Sequence, residues 1–178
     1  TDGNKLMKVK VCGLTNVDHL RACIDLNADY CGFILNYPKS HRYVSLDKAK
    51  DLTNINKENT KYVGVLVEPS DEELDQFSGL NLDYFQIYGN LDSKKIEKIK
   101  KKYRKKIISA LQVKKKDDLK KYSLIEDAAD IILWDSSGYE ESLSWNYNWL
   151  KPISTKVEKM IAGNITLDKI QDIEGLTD

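Results

Sequence analysis

The sequence predicts an α/β protein built as a (β/α)8 (TIM) barrel, on three observations. Short runs rich in Val, Ile and aromatic residues alternate with longer segments whose apolar residues recur every three or four positions, the pattern of repeated βα units. Several runs are apolar at nearly every position, as a parallel strand covered on both faces requires. The runs end at Cys12, Leu35, Val67, Ile87, Leu111, Asp135 and Ala162, about 25 residues apart, and seven such strands exceed the usual count of an open doubly wound sheet.

The strand candidates are Lys8–Cys12, Tyr30–Leu35, Lys61–Val67, Asp83–Ile87, Lys106–Leu111, Asp130–Asp135 and Val157–Ala162. Helices between them have readable starts: Thr15–Asp18 and Ser70–Glu73 both fit a pattern in which a hydroxyl and an acid satisfy free amides of the first turn. Val17, Leu20 and Ile24 then form the first helix's buried stripe, Leu74 and Phe77 that of the third, and Ile96, Ile99 and Tyr103 that of the fourth. At the same spacing an eighth strand would end at roughly residue 187. Because a barrel lacking one strand has two unpaired edges, the natural chain is expected to continue past Asp178.

The 178 residues suit a single barrel domain, 1–178, C-terminally incomplete, with residues 1–6 read as a tag or frayed extension. Lys plus Arg (28) balance Asp plus Glu (28), so no net positive charge favours nucleic acid or anionic membrane. The lysines of Lys94–Lys106 and Lys114–Lys116 read as solvated faces, since the apolar residues among them keep helical spacing. Three cysteines without a CxxC pair, and only two histidines, argue against a zinc site or disulfide framework. No metal or cofactor is expected. Without an apolar run of about 18 residues or a secretory head, the cytoplasm is the expected compartment, for a monomer or homodimer.

In such barrels the reactive groups sit at the C-terminal ends of strands. The first strand ends in Cys12 and the sixth in Asp135, a thiol and a carboxyl able to face each other across the barrel mouth as base and acid. A strand-terminal Cys is also an ordinary small hydrophobe, the reading given to Cys23 and Cys31. Arg42 follows the second strand and is one of three arginines against 25 lysines, which suits planar, bidentate binding of carboxylate or phosphate. His41 and His19 read as surface or packing residues.

Lys10–Thr15 (KVCGLT), Gly32–Phe33 and Ser40–Val44 (SHRYV) resemble the phosphoribosylanthranilate isomerase family of tryptophan biosynthesis. The likeness continues through Val63–Val65 with Pro69, Asp83–Ile87 with Gly89, Asp135, Trp145 and Ala162–Asn164. The resemblance implies an Amadori rearrangement of N-(5'-phosphoribosyl)anthranilate to 1-(o-carboxyphenylamino)-1-deoxyribulose 5-phosphate. It makes Asp135 the general acid that opens the ribose ring and Cys12 the general base at C2'. It assigns Arg42 to the anthranilate carboxylate, Gln86 to substrate binding, and Gly163 and Asn164 to half of a phosphate site. The other half, a DxSSGxE stretch after strand eight, would lie beyond Asp178.

Three stretches depart from the family pattern. A glycine-rich loop after strand six reads Gly138–Trp145 with two acids, Gln-Leu-His-Gly reads Gln86–Gly89 with Tyr88 in the histidine's place, and Gly-Gly reads Gly163–Asn164. Two rival readings stand beside the isomerase: another phosphosugar-processing barrel enzyme, or a barrel without catalysis that serves as a binding or assembly module. The first would need a catalytic lysine or paired aspartates at strand ends. The second sits poorly with Cys12, Asp135 and Arg42 occurring together.

Overall fold

Seven parallel strands, each hydrogen-bonded to the next in chain order, form one sheet in the computed structural model, which describes residues 7–136 and 143–177. They are β1 (Lys10–Val11), β2 (Tyr30–Ile34), β3 (Lys61–Val67), β4 (Tyr84–Tyr88), β5 (Lys106–Val113), β6 (Ile131–Ser136) and β7 (Glu158–Ile161). Helices α1 (Val17–Asp25), α2 (Leu46–Thr53), α3 (Asp71–Phe77) and α4 (Ser93–Tyr103) connect the first five strands. Strict sequential order with right-handed crossovers curls a parallel sheet round on itself. Before β1, Lys8 Nζ reaches Glu158 Oε1 at the start of β7 (3.0 Å), so the first and last described strands face each other across the open side. That pair is half-exposed and contributes little energy.

Alternation along each strand separates two apolar layers. Tyr30, Ile34, Val63, Val65, Tyr84, Ile108, Ile131 and Leu133 fill the barrel interior. Phe33, Tyr62, Leu66, Phe85, Ile107, Ile132 and Trp134 point the other way, where they pack with Leu20, Leu52, Leu74, Phe77 and Ile96 of the helices. The continuous apolar runs in the sequence are this double burial. Cys31 belongs to the outer layer and is fully buried, and burial pushes its thiol up to about 12, with Cys23 adding to the effect. Iodoacetamide at mildly alkaline pH is therefore expected to leave Cys31 unmodified until denaturant is added, as peptide mass mapping would show.

An aspartate recurs at the N-terminal rim of alternate strand pairs. Asp29 Oδ2 accepts from Val9 N (2.7 Å), Asp83 Oδ2 from Tyr62 N (2.8 Å) and Asp130 Oδ2 from Ile107 N (2.8 Å). Each carboxylate satisfies an amide at the start of the neighbouring strand, Val9 just before β1 and Tyr62 and Ile107 second in β3 and β5. Asp83 and Asp130 consequently stand just outside their strands, so β4 and β6 begin one residue later than the sequence pattern suggests.

The Ser70 capping box forms as expected, with Glu73 N donating to Ser70 Oγ (3.1 Å) and Ser70 N donating to Glu73 Oε1 (3.1 Å). At α1 the cap is Asn16, whose Oδ1 accepts from His19 N (2.8 Å). This places Val17 at the first helical position, 39% exposed, and removes it from the buried stripe, which keeps Leu20 and Ile24.

After β5 and β6 the connections are 3-10 helices, Lys116–Leu124 and Tyr147–Leu150, rather than full α-helices. Asp117, Asp118 and Ser123 favour local side-chain bonding over helical propagation, and Pro152 has no amide with which to extend the second. Burial alone would raise the Asp118 carboxyl, but the amides of Lys115 and Lys114 (3.0 and 2.8 Å) and the Lys121 ammonium outweigh it and hold the group below the usual carboxylate range. A carboxylate so depressed stabilises the fold above its unfolded-state value, and that contribution is lost as pH falls through the folded value. Asp118→Ala is expected to cost about 1–2 kcal/mol in urea unfolding at pH 7, with the gap to the parent closing at strongly acid pH.

Candidate active site

The C-terminal ends of the strands open into a cavity of about 360 Å³ that runs down the barrel interior. Cys12, Arg42, Gln86, Asp135 and Gly163 all line it. Parity explains the convergence: Tyr84, Gln86 and Tyr88 alternate inward on β4, as Ile131, Leu133 and Asp135 do on β6.

Cys12 directly follows β1, half-buried, with its end of the strand held by Gly13 N and Leu14 N, which both donate to Gly32 O (3.0 and 3.1 Å). Gly13 has a φ of +78°, and a Cβ there would stand 2.5 Å from Arg42 Cδ. Only glycine lets the arginine lie flat over this turn. Arg42 Nη1 donates to the Cys12 carbonyl (3.0 Å), bringing the guanidinium beside the thiol-bearing residue. The loop carrying Arg42 is anchored by Asn36, whose side chain donates to Val67 O (2.9 Å) and accepts from Val67 N (2.7 Å), and by Val44 N donating to Ile34 O (3.0 Å). His41 and His19 are exposed, as read from the sequence.

Asp135 is half-buried at the end of β6. Its Oδ1 accepts from Ser136 N (2.7 Å), and its Oδ2 accepts a short hydrogen bond from the Tyr88 hydroxyl (2.6 Å). Tyr88 reaches across β5, where Ala110 occupies the level of Tyr88 and Leu133 and presents only a methyl group. Burial first, then the nearby Asp135 and Cys12 charges, push the Tyr88 phenol well above its ordinary range, so it remains a donor at any working pH. Gln86 Nε2 donates to the same hydroxyl (3.1 Å), completing a Gln86–Tyr88–Asp135 chain.

At β7, Gly163 and Asn164 have φ values of +114° and +51°. A Cβ on Gly163 would lie 2.6 Å from the Leu143 carbonyl, so this turn requires glycine. Two aromatic residues of the β6–β7 connection hold it: Tyr147 Oη donates to Gly163 O (2.5 Å) and Trp145 Nε1 to Ala162 O (2.9 Å). Asn164 is the exception among the residues picked from the sequence. It is exposed, its Nδ2 donates to Ser144 Oγ (3.2 Å), and it does not line the cavity, because the left-handed turn directs its side chain to the rim. The altered loop at residues 138–142 lies outside the described residues.

Sequence reasoning noted Tyr88 only as a lost histidine. The available signal was its position two residues after Gln86 on one strand, which puts both side chains on the inner face. Among the described residues no cluster of three or more His, Cys, Asp or Glu is arranged to hold a metal, and no helix is long and apolar enough to cross a membrane.

A family model described as "N-(5'phosphoribosyl)anthranilate (PRA) isomerase" matches residues 9–176. The N-(5'-phosphoribosyl)anthranilate isomerase of Streptococcus mutans is 33% identical over 171 residues, covering 94% of this chain and 81% of that protein. That of Staphylococcus carnosus is 32% identical, covering 96% and 82%. The crystal structure of phosphoribosyl anthranilate isomerase from Thermotoga maritima superposes with a TM-score of 0.82 at 25% identity, over 93% of this chain and 81% of that one. The Thermus thermophilus structure, at 22% identity, gives 0.83 and supports the barrel-type fold. With its cavity built from strand ends and nearly its whole length matched, the chain belongs to the N-(5'-phosphoribosyl)anthranilate isomerase family of tryptophan biosynthesis.

Proposed function

We propose that this chain carries out the family's Amadori rearrangement with Asp135 as general acid, Cys12 as general base and Arg42 as the clamp on the anthranilate carboxylate. The observation that carries the reading is that the three residues, from β6, β1 and the loop after β2, line one cavity. Asp135 delivers a proton to the furanose ring oxygen as the C1'–O bond breaks, and the anilino nitrogen's lone pair forms the C1'=N bond of a Schiff base. The Cys12 thiolate then takes the C2' proton, and the electron pair left behind closes a C1'=C2' double bond while nitrogen becomes neutral. The resulting enolamine gains a proton at C1' and loses one from the C2' hydroxyl, giving the aminoketose. Hydrogen and electrons stay within the substrate and the two side chains, so no external oxidant or reductant enters.

Cys12 and Asp135 line the same cavity, so base and acid can reach one bound substrate. The phosphate binds opposite, at the turn through Gly163 and Asn164, where glycine allows close approach of an anion to the backbone. Gln86 contacts the substrate from the cavity wall.

The test is the loss of anthranilate fluorescence when purified protein meets N-(5'-phosphoribosyl)anthranilate. Turnover at enzyme-like rates supports the isomerase; binding without turnover would favour the non-catalytic module.

A further inference from the structure

Gln86 Oε1 is a fully buried side-chain oxygen with no hydrogen-bond partner among the described residues. Leaving such an atom unpaired is costly, and this one belongs to the residue that donates to Tyr88. The Tyr88 hydroxyl has one proton, which lies toward Asp135 Oδ2 at 2.6 Å. That arrangement suits an ionised Asp135. Once the carboxyl takes up the proton required for ring opening, two hydrogens cannot share the short line between the oxygens, and the phenol must donate elsewhere. Turning the Gln86 amide by half a revolution brings Oε1 to the hydroxyl and supplies that acceptor.

We propose that Tyr88 is the positioning residue of Asp135 and Gln86 its alternate acceptor, the three forming a relay with two hydrogen-bonded states, one for each protonation state of the carboxyl. In the first state the amide donates to the phenol and the phenol to the carboxylate. In the second the carboxyl donates to the phenol oxygen and the phenol to Gln86 Oε1. The relay rests on the reading of Asp135 as the acid, and it deepens that reading: the energy difference between the states sets how readily Asp135 is reloaded after each turnover.

Cys12 at β1 acts on Tyr88 and Asp135 acts on Tyr147 after β6, and Lys8 and Lys10 at β1, Tyr30 on β2, Tyr37 and Arg42 after β2, and Glu158 and Lys159 on β7 line the same cavity. The cations favour the carboxylate and the anions oppose it. Uncharged replacements of Tyr88 and Gln86 leave all of them in place, so the response to those replacements isolates the relay.

The experiment follows the Asp135 carboxyl by 13C NMR in protein labelled at aspartate side-chain carboxyls, with Asp135→Asn identifying the resonance, and in parallel the pH profile of kcat/KM. Tyr88→Phe removes a charge-assisted donor to the carboxylate, and its titration midpoint is expected to rise by about one pH unit, tenfold in proton affinity. Gln86→Met removes the acceptor needed by the protonated state, whereas the ionised state loses only a neutral donor to a phenol that keeps its charged acceptor, so its midpoint is expected to fall. The double variant should titrate like Tyr88→Phe, because Gln86 reaches the carboxyl only through the phenol. Each alkaline limb of kcat/KM should move with its NMR midpoint. A purely structural role would lower rates or stability without opposite movements of the two midpoints. Midpoints that do not move, or that move in the same direction, would overturn the relay. Should Tyr88→Phe fail to fold, the downward movement in Gln86→Met decides alone. An inactive parent would instead refute the catalytic reading, and the NMR titration would still decide the relay.

Discussion

Asp135→Asn is expected to lower kcat by about 10²–10⁴-fold with a much smaller change in KM. The amide keeps the shape of the carboxyl, its one oxygen can still accept from Ser136 N and its NH2 can donate to the Tyr88 hydroxyl oxygen, so substrate binding and the rim of β6 should survive. It has no proton to give the ring oxygen, and the closed furanose cannot become a Schiff base without one. The defect should therefore appear in the chemical step. It should not be relieved by lowering the pH, which would partly rescue a variant whose acid had merely been shifted. Fluorescence-monitored turnover across pH 5–9, on about the same scale as the parent's profile, is the measurement.

Cys12→Ala is expected to have an effect of similar size, about 10²–10⁴-fold in kcat, for the complementary reason. Ring opening by Asp135 remains available, but nothing removes the C2' proton. Because Arg42 bonds to the Cys12 carbonyl and not to the sulfur, the guanidinium should keep its place and KM should stay near the parent value. Cys12→Ser offers a sharper comparison. A hydroxyl occupies the same position but yields no anion near neutral pH, so a serine variant as slow as alanine indicates that the sulfur acts as a base rather than as a packing group. Melting temperatures of the variants, close to that of the parent, would show that the losses are chemical.

Much of this architecture was legible from local chemistry. Burial of parallel strands on both faces writes a continuous apolar run, and β3, with nothing competing at either end, occupies the residues its run marks, Lys61–Val67. At the starts of β4 and β6, expected one residue early, a side chain takes over a backbone partner's task, that of Asp83 and of Asp130. The 3-10 connections were not visible as such, because turn-forming Asp and Ser residues and Pro152 act against an apolar periodicity that still reads as helical. Val17 fits the stripe by spacing, yet the Asn16 cap fixes the helix start and leaves Val17 at the solvent edge.

At the site, Cys12, Arg42 and Asp135 could be picked because each is a chemically unusual residue at a strand end. Gln86 and Gly163 came with the family likeness, and the cavity also takes them in. Asn164 shows the limit of that transfer, since a backbone turn decides the direction of its side chain. Tyr88 was harder still. Its importance depends on a contact 47 residues away in the chain, made across β5 at a level where Ala110 leaves room, and no local pattern carries that information.

Substrate deuterated at C2' gives the most direct reading of the two-residue proton shuttle, with the isotope effect on kcat measured for the parent, Cys12→Ala and Asp135→Asn. The expected result is a larger isotope effect in Cys12→Ala, where breaking the C2'–H bond becomes the slow step, and a vanishing one in Asp135→Asn, where ring opening limits the rate. Equal isotope effects in all three proteins, with rates within a few-fold of one another, would contradict the assignment of acid and base to these side chains.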